Sequence, residues 1–394
     1  MSQRSPLDHL AAVRAALGSP TTITVALADA LGATLASDVT AVTDSPPFDN
    51  SQMDGFALPA VGARTWPVGP TIAAGDAPGE LAGHALPIMT GAAVPAGTAA
   101  IVPVERCRPD TFDAALAAGD VDVPEVAPGT FIRTAGSDLR AGELVVPAGS
   151  RVTPVVIGAL ASQGIAEVTV VAPTVVLVTG GAEVGGTGPA SIPDANGPLL
   201  TALCSTFGIR VACHLHTDDN PQAWEKQLAQ AIATHRPDAV ITSGGISHGR
   251  FEVVRQVLSS RGWFGHVAQQ PGGPQGLATY ETTPVICLPG NPISTLVSFR
   301  LFALPALLGR ADFGGVTSVL STPVPVTGLP DKVQFRRAIT HGATTRLLGG
   351  ASSHLLAQAA TATALLEVPA GAELADATAV TVYPLYDLPG PRHD

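Results

Sequence analysis

The sequence predicts an α/β fold joined to two β-rich segments, and three observations predict it. Between Thr169 and Leu288 short apolar runs alternate with amphipathic stretches, as strands and crossover helices do in a parallel sheet. From Thr43 to about Arg133 short apolar runs are instead punctuated by Pro and Gly, as in FALPAV and AAIVPVE. The same β-rich texture returns after about Ala311, in VPVTGLP, QFRRAIT and AVTVYPL. A chain of 394 residues has room for about two to four domains.

The N-terminal segment reads as helix. Ser5 stands where an N-cap belongs, Pro6 at the first helical position and Asp8 in the first turn, and Leu7, Leu10, Val13 and Leu17 recur at helical spacing up to Gly18. Thr24 to Ala36, containing LADALGATLA, is expected to form a second helix, and Pro154 to Ile165 a third. Strands are expected at Thr169–Val171, Val175–Val178, Arg210–His214, Ala239–Thr242 and Val285–Leu288. Helices are expected at about Gly197–Phe207, Pro221–Thr234 and Phe251–Ser260. In the second of these Trp224, Leu228 and Ile232 line one face, and Asn220 or Asp219 caps it.

Composition excludes several classes. The hydrophobic fraction of 46% with 13% charged residues is globular, and no apolar run reaches the eighteen or so residues of a membrane span. MSQRSPLDHL lacks an apolar signal segment, so the chain is expected in the cytoplasm. A net charge of -11 without any basic stretch argues against nucleic acid as a partner. Cys107, Cys204, Cys213 and Cys287 form no C-x-x-C pair and read as small buried hydrophobes.

The chemistry gathers at three glycine-bearing junctions. Thr179-Gly180-Gly181, Ser243-Gly244-Gly245 and Pro289-Gly290-Asn291 each follow an apolar strand run, and in a parallel sheet the loops beyond the carboxyl ends of strands bind ligands. Bare backbone amides at such loops attract phosphate and other anions. Familiar motifs are missing: neither Lys226 nor Lys332 follows Gly as a P-loop requires, no G-x-G-x-x-G follows a strand, and the ten histidines show no ligand spacing. Gly245-Ile246-Ser247-His248-Gly249 does match the G-x-S-x-G of a hydrolase elbow. Its remaining triad members would have to come from Asp312 or Asp331 with His341 or His354, in the β-rich tail.

Six segments in order, PPFDNSQMDGFA, PIMTGAAVP, IRTAGSDL, VTGGAE, TSGGISHG and LPGNPIS, resemble the signatures of the molybdopterin molybdotransferase family, the MoeA proteins and the gephyrin E domain. The resemblance implies an elongated multi-domain chain with a MogA-like three-layer α/β domain, a β-rich inserted domain and a C-terminal β-barrel-like domain, assembled as a homodimer. The implied divisions are residues 1–42 with 135–171 as a discontinuous helical dimerisation domain, 43–134 as the insertion, 172–311 as the molybdopterin-binding domain and 312–394 as the C-terminal domain.

The implied reaction inserts molybdate into adenylyl-molybdopterin with Mg²⁺-dependent release of AMP, and a molybdopterin adenylyltransferase is a possible partner. Carried over, the catalytic residues are Asp54 and Thr90, acting across the dimer, with Glu183 and Asp138. Glu183, Asp219 and Glu252 are the implied metal acids. Thr179, Gly180, Ser243, Gly244, Gly245, Ser247, Pro271, Gly272, Pro289, Gly290, Asn291, Pro292, Ser294 and Arg133 are the implied substrate contacts.

The chain also departs from the family pattern. Where T-G-D-E-L is usual it has Thr179-Gly180-Gly181-Ala182-Glu183-Val184, and Gln270-Pro271-Gly272-Gly273-Pro274 replaces K-P-G-K-P. Pro87 stands where a basic residue is common. Two alternatives stay open: a catalytically degenerate dimer that binds a pterin, nucleotide or protein as a scaffold, and a serine hydrolase using Ser247.

Overall fold

A computed structural model describes residues 3–181, 184, 189, 191–217, 220–246 and 252–387. The chain divides into two compact units, one of residues 1–37, 147–157 and 167–394, the other of residues 38–146 and 158–166.

The first unit opens with helix α1 (Pro6–Leu17), where Ser5 and Asp8 form a reciprocal capping box and Gly18 ends the helix. The expected second helix is absent. Thr22–Ala26 is strand β1, Leu27–Asp29 a single 3₁₀ turn and Thr34–Leu35 strand β2. The β-branched run Thr22-Ile23-Thr24-Val25 suits a strand better than a helix, and Gly32 at φ +80 breaks the Leu- and Ala-rich run after it.

The second unit carries strands β3 (Val39–Thr40), β4 (Asn50–Ser51), β5 (Gly55–Leu58), β6 (Arg64–Pro67), β7 (Leu86–Ile88) and β8 (Ala100–Pro103). Helix α2 (Phe112–Ala118) is next, then β9 (Asp120–Val123), β10 (Ile132–Arg133) and β11 (Leu144–Val146). A three-stranded sheet in the order β7-β5-β8 is the centre of this unit. Phe56, Leu58, Trp66, Val102 and Cys107 are buried in the core that it builds. Helix α2 was not expected from the sequence, although Thr111 accepts from the Ala114 N–H as its N-cap and Gly119 closes it in the left-handed conformation.

After helix α3 (Pro154–Ser162), strand β12 (Glu167–Val171) pairs with β1 and β2 rather than joining the large sheet. The α/β layer then runs β13 (Thr174–Gly180), α4 (Asn196–Thr206), β14 (Arg210–Thr217), α5 (Pro221–His235), β15 (Ala239–Ser243) and α6 (Val253–Leu258). It continues with β16 (Gly262–His266), β17 (Gln269–Gln270), β18 (Pro274–Tyr280), β19 (Thr283–Leu288) and α7 (Pro292–Ser298).

The sheet order is β14-β13-β15-β19-β18-β16. The first four strands are parallel and the last two are antiparallel additions. Strand β13 is apolar and buried almost throughout because helices cover both faces. Leu200, Leu203 and Phe207 of the α4 region pack on one face; Trp224, Leu228 and Ile232 of α5, with Val253 and Val254 of α6, pack on the other.

The last segment is a closed barrel. Strands β20 (Val316–Leu320), β21 (Val326–Thr327), β22 (Val333–His341), β23 (Thr344–Leu347), β24 (Ala364–Val368), β25 (Glu373–Leu374) and β26 (Ala379–Pro384) succeed one another in sequence. The order β22-β23-β20-β26-β24 closes because β22 also pairs with β24, so this sheet has no open edge between those five strands. All four cysteines are free; Cys107, Cys204 and Cys287 are buried as expected, burial pushing the Cys204 and Cys287 thiols up to about 12, whereas Cys213 on the edge strand β14 is only half-buried. Among the described residues no helix is long and apolar enough to cross a membrane.

Candidate active-site cleft

Strands β13, β15 and β19 are parallel neighbours, so their carboxyl ends and the loops that leave them meet on one edge of the sheet. The contact between the loops is backbone to backbone. A Cβ on Gly244, itself at φ +95, would lie 3.0 Å from the Gly180 carbonyl oxygen, and one on Gly290 would lie 3.2 Å from Gly244 Cα. Side chains at these positions would force the strand ends apart.

Beside them opens a cleft of about 1050 Å³, lined by Gly180, Gly181, Ser243, Gly244, Gly245, Glu252, Pro271, Gly272, Pro289, Gly290, Asn291, Pro292 and Ser294, with further residues from the segments around Asp194 and Ser353. Apart from Gly181 and the segments around Asp194 and Ser353, these residues are among the sequence-implied contacts and metal acids, Glu252 included.

The walls are held by a connected set of hydrogen bonds. Ser243 Oγ lies 2.9 Å from Thr295 Oγ1, which donates to the Pro289 carbonyl at 2.7 Å. Asn196 Nδ2 donates to the Gly290 carbonyl at 2.7 Å, and Asn291 Nδ2 to Ser353 Oγ at 3.0 Å. The buried Gln275 donates to the Gly272 carbonyl at 2.7 Å, fixing the loop that stands in place of the family's lysine-bearing run. Among the described residues lining the cleft, the formal charges are the carboxylates of Asp194 and Glu252, His354 is the lone imidazole, and Lys and Arg are absent.

Thr179 is buried, and its hydroxyl donates to Asp194 Oδ2 at 2.7 Å. The same hydroxyl oxygen is 2.6 Å from His214 Nε2; a hydroxyl has one proton, so His214 is the donor in that contact. Burial, which would raise the Asp194 carboxyl, is outweighed by N–H donors from Gly197 and Asn196 and by Thr179, so it lies below the usual carboxylate range. Burial, with neighbouring His216, lowers the His214 imidazole against the pull of Asp194.

Sequence reasoning missed Asp194, His214 and His216, and its view that the histidines show no ligand spacing is corrected. Their ligand atoms lie within 4.8 Å of one another. The signal was His214-Leu215-His216 in a strand, where alternate residues share a face. Asp194-Ala195-Asn196 just before an apolar helical run was a second signal.

Within the second unit, Asp54 immediately precedes β5 and Thr90 lies just beyond β7. Those strands pair antiparallel with Gly55 opposite Ile88, which brings the two residues together. Asp54 Oδ1 accepts from the Thr90 N–H at 2.6 Å and from its hydroxyl at 2.8 Å. The two donors hold the exposed Asp54 carboxyl below its ordinary range. Arg133 donates to Asn50 Oδ1 at 3.2 Å across the β4–β10 pair, while Asp138 accepts from Ser45 Oγ at 3.2 Å. Glu183, Asp219 and Ser247 lie outside the described residues.

These features define a multi-domain α/β protein with a ligand cleft at the carboxyl edge of a parallel sheet and a separate barrel. Residues 4–164 match the MoeA N-terminal region (domain I and II), and residues 175–309 match the family described as "Probable molybdopterin binding domain". Molybdopterin molybdenumtransferase 2 of Mycobacterium tuberculosis is 35% identical over 98% of this chain and 100% of its own length. A molybdopterin molybdenumtransferase of Staphylococcus aureus is 28% identical over 78% of this chain and 76% of its own length. The crystal structure of a molybdopterin biosynthesis MoeA protein from Pyrococcus horikoshii superposes with a TM-score of 0.77 at 25% identity, covering 98% of this chain and 99% of that one. The chain belongs to the MoeA family of molybdopterin molybdenumtransferases.

Proposed function

We propose that this chain is a molybdopterin molybdenumtransferase: it takes adenylyl-molybdopterin and molybdate, cleaves the adenylyl anhydride, releases AMP and leaves molybdenum on the dithiolene. The observation that carries this reading is the cleft in which three glycine loops converge, set in a chain 35% identical over nearly its whole length to a protein of that name. Gly180, Gly245 and Gly290 offer backbone to phosphate and molybdate oxygens and Ser294 a hydroxyl beside them, while the Gly244 N–H is held by the Leu288 carbonyl and the Ser243 hydroxyl by Thr295, so these two shape the loop. Pro289 and Pro292 shape the third loop, Asn291 is pinned by Ser353, and Pro271 and Gly272 also line the cleft. Thr179 acts from beneath by orienting Asp194.

Glu252 lines the cleft, and a carboxylate is a donor that suits Mg²⁺. With Glu183 and Asp219 it would hold the ion, which when bound neutralises charge on the phosphoryl oxygens. Asp54, ionised and fixed by Thr90, is the catalytic carboxylate of the inserted domain, acting on the partner's cleft, with Arg133 and Asp138 in support. Ser247 contacts substrate.

A division into four domains accompanies this reading, and so does a cytoplasmic homodimer receiving substrate from an adenylyltransferase. Helix α3, PVVIGALAS, supports the dimer: it buries only Leu160 and leaves Val155 80% exposed, an apolar surface that a partner would cover. One observation favours a scaffold that binds without turnover, namely the absence of Lys and Arg from the described cleft lining. Mixing purified protein with adenylyl-molybdopterin, molybdate and Mg²⁺ separates the two. Stoichiometric AMP release supports the transferase, and ligand binding without AMP supports the scaffold.

A further inference from the structure

Strand β14 sets two imidazoles side by side at the end of the cleft wall. His214 and His216 stand on the same face of this edge strand, with ring centroids 4.5 Å apart. Asp194 Oδ2 lies 3.9 Å from His214 Nε2 and 4.0 Å from His216 Nδ1. Its other oxygen, Oδ1, accepts from the N–H groups of Asn196 and Gly197 at 2.9 and 3.0 Å, which orients the carboxylate. Gly197 is what lets helix α4 start so close: a Cβ there would lie 2.3 Å from His214 Cε1 and 2.5 Å from Asp194 Oδ2.

We propose that Asp194, His214 and His216 form a binding site for a late first-row divalent cation of the Zn²⁺ class at the rim of the cleft. Two imidazoles and one carboxylate are a nitrogen-rich donor set that suits Zn²⁺, Co²⁺ or Ni²⁺, whereas Mg²⁺ takes oxygen ligands. This donor set shares no residue with the implied Glu183, Asp219 and Glu252 set. Bond lengths of about 2.0–2.2 Å place donors about 3.0–3.5 Å apart. The two carboxylate-to-imidazole distances exceed this by about half an ångström to one ångström, which small side-chain rotations of Asp194, His214 and the exposed His216 close.

Binding at His214 Nε2 displaces the proton now shared with Thr179, either to Nδ1 or to solvent. Three protein ligands leave a fourth position for water or for an oxygen of the cleft ligand. Asp194 also lines the cleft, whose described lining includes no Lys or Arg. A bound cation would give the cleft the positive charge an anionic ligand requires.

The test does not depend on the transferase reading. Full-length protein stripped with chelator is titrated with Zn²⁺ against a chromogenic competitor, and separately with Co²⁺ while visible absorption is recorded. The expected result is one ion per chain and a Co²⁺ spectrum showing nitrogen ligation. His216→Ala and Asp194→Asn, each checked for unchanged thermal unfolding, should weaken binding at least about tenfold and abolish that spectrum. Absence of a stoichiometric site in the wild type, or equal affinity in both variants, overturns the proposal.

Discussion

Asp54 and Thr90 are 36 positions apart in sequence, yet one carboxylate oxygen takes two hydrogen bonds from the same threonine. The hydroxyl and the N–H both favour the charged carboxylate, so Asp54 stays ionised to lower pH than an ordinary aspartate. Thr90→Val removes the hydroxyl and keeps the N–H. Its Asp54 pKa, read by NMR titration, should rise part of the way toward the ordinary value. Asp54→Asn should lower turnover by about a hundredfold or more while leaving thermal unfolding in place, because the side chain is exposed; wild-type turnover in this variant would remove Asp54 from the catalytic group. The sequence made Asp54 and Thr90 legible only through family segments, since Asp and Thr beside Gly read equally well as turn chemistry. Their contact depends on the pairing of β5 with β7, which no local pattern announces.

At the scale of elements, the glycine loops work because three strand ends abut without side chains between them. Gly244→Ala meets both a positive φ and the Gly180 carbonyl. It should cost about 1–3 kcal/mol of backbone strain, seen as a lowered melting temperature together with weakened ligand binding. Arg300 does comparable work where the helical segment after β19 meets the barrel. It is buried, and its guanidinium donates to the Phe313 and Pro384 carbonyls at 2.7 Å each. Burial lowers its pKa to about 10, so it remains charged at neutral pH. Arg300→Met should strand those carbonyls and destabilise this unit by about 3 kcal/mol or more, measured by chemical unfolding; an unchanged midpoint would contradict that role.

The α/β elements were legible because strand runs such as Val175–Val178 and the Trp224, Leu228, Ile232 stripe are set by burial on two faces and one face respectively. The segment from Thr22 to Leu35 was not: its Leu and Ala suggested helix, while pairing of β1 and β2 with the distant β12 decided the outcome. The antiparallel strands β16 and β18 escaped notice for a similar reason. Gly and His dilute the apolar pattern of Gly262–His266, and its partner strand is what makes it a strand.

For the molecule as a whole, the barrel shows how far sequence reached. Its β character was readable from short runs between Pro and Gly, but its closure rests on β22 pairing with both β23 and β24, a long-range fact. The proposed dimer is tested by mass. The chain is 39.7 kDa, and sedimentation should give about twice that, with Val155→Glu on helix α3 shifting the population toward monomer. A monomeric wild type would contradict the assignment of Asp54 and Thr90 to a partner's cleft.

Catalysis at the glycine-loop cleft is tested by release of AMP from adenylyl-molybdopterin. Purified wild-type protein should release one AMP per substrate when molybdate and Mg²⁺ are both present, with Glu252→Gln markedly slower. Intact adenylyl-molybdopterin after prolonged incubation with folded protein would contradict it.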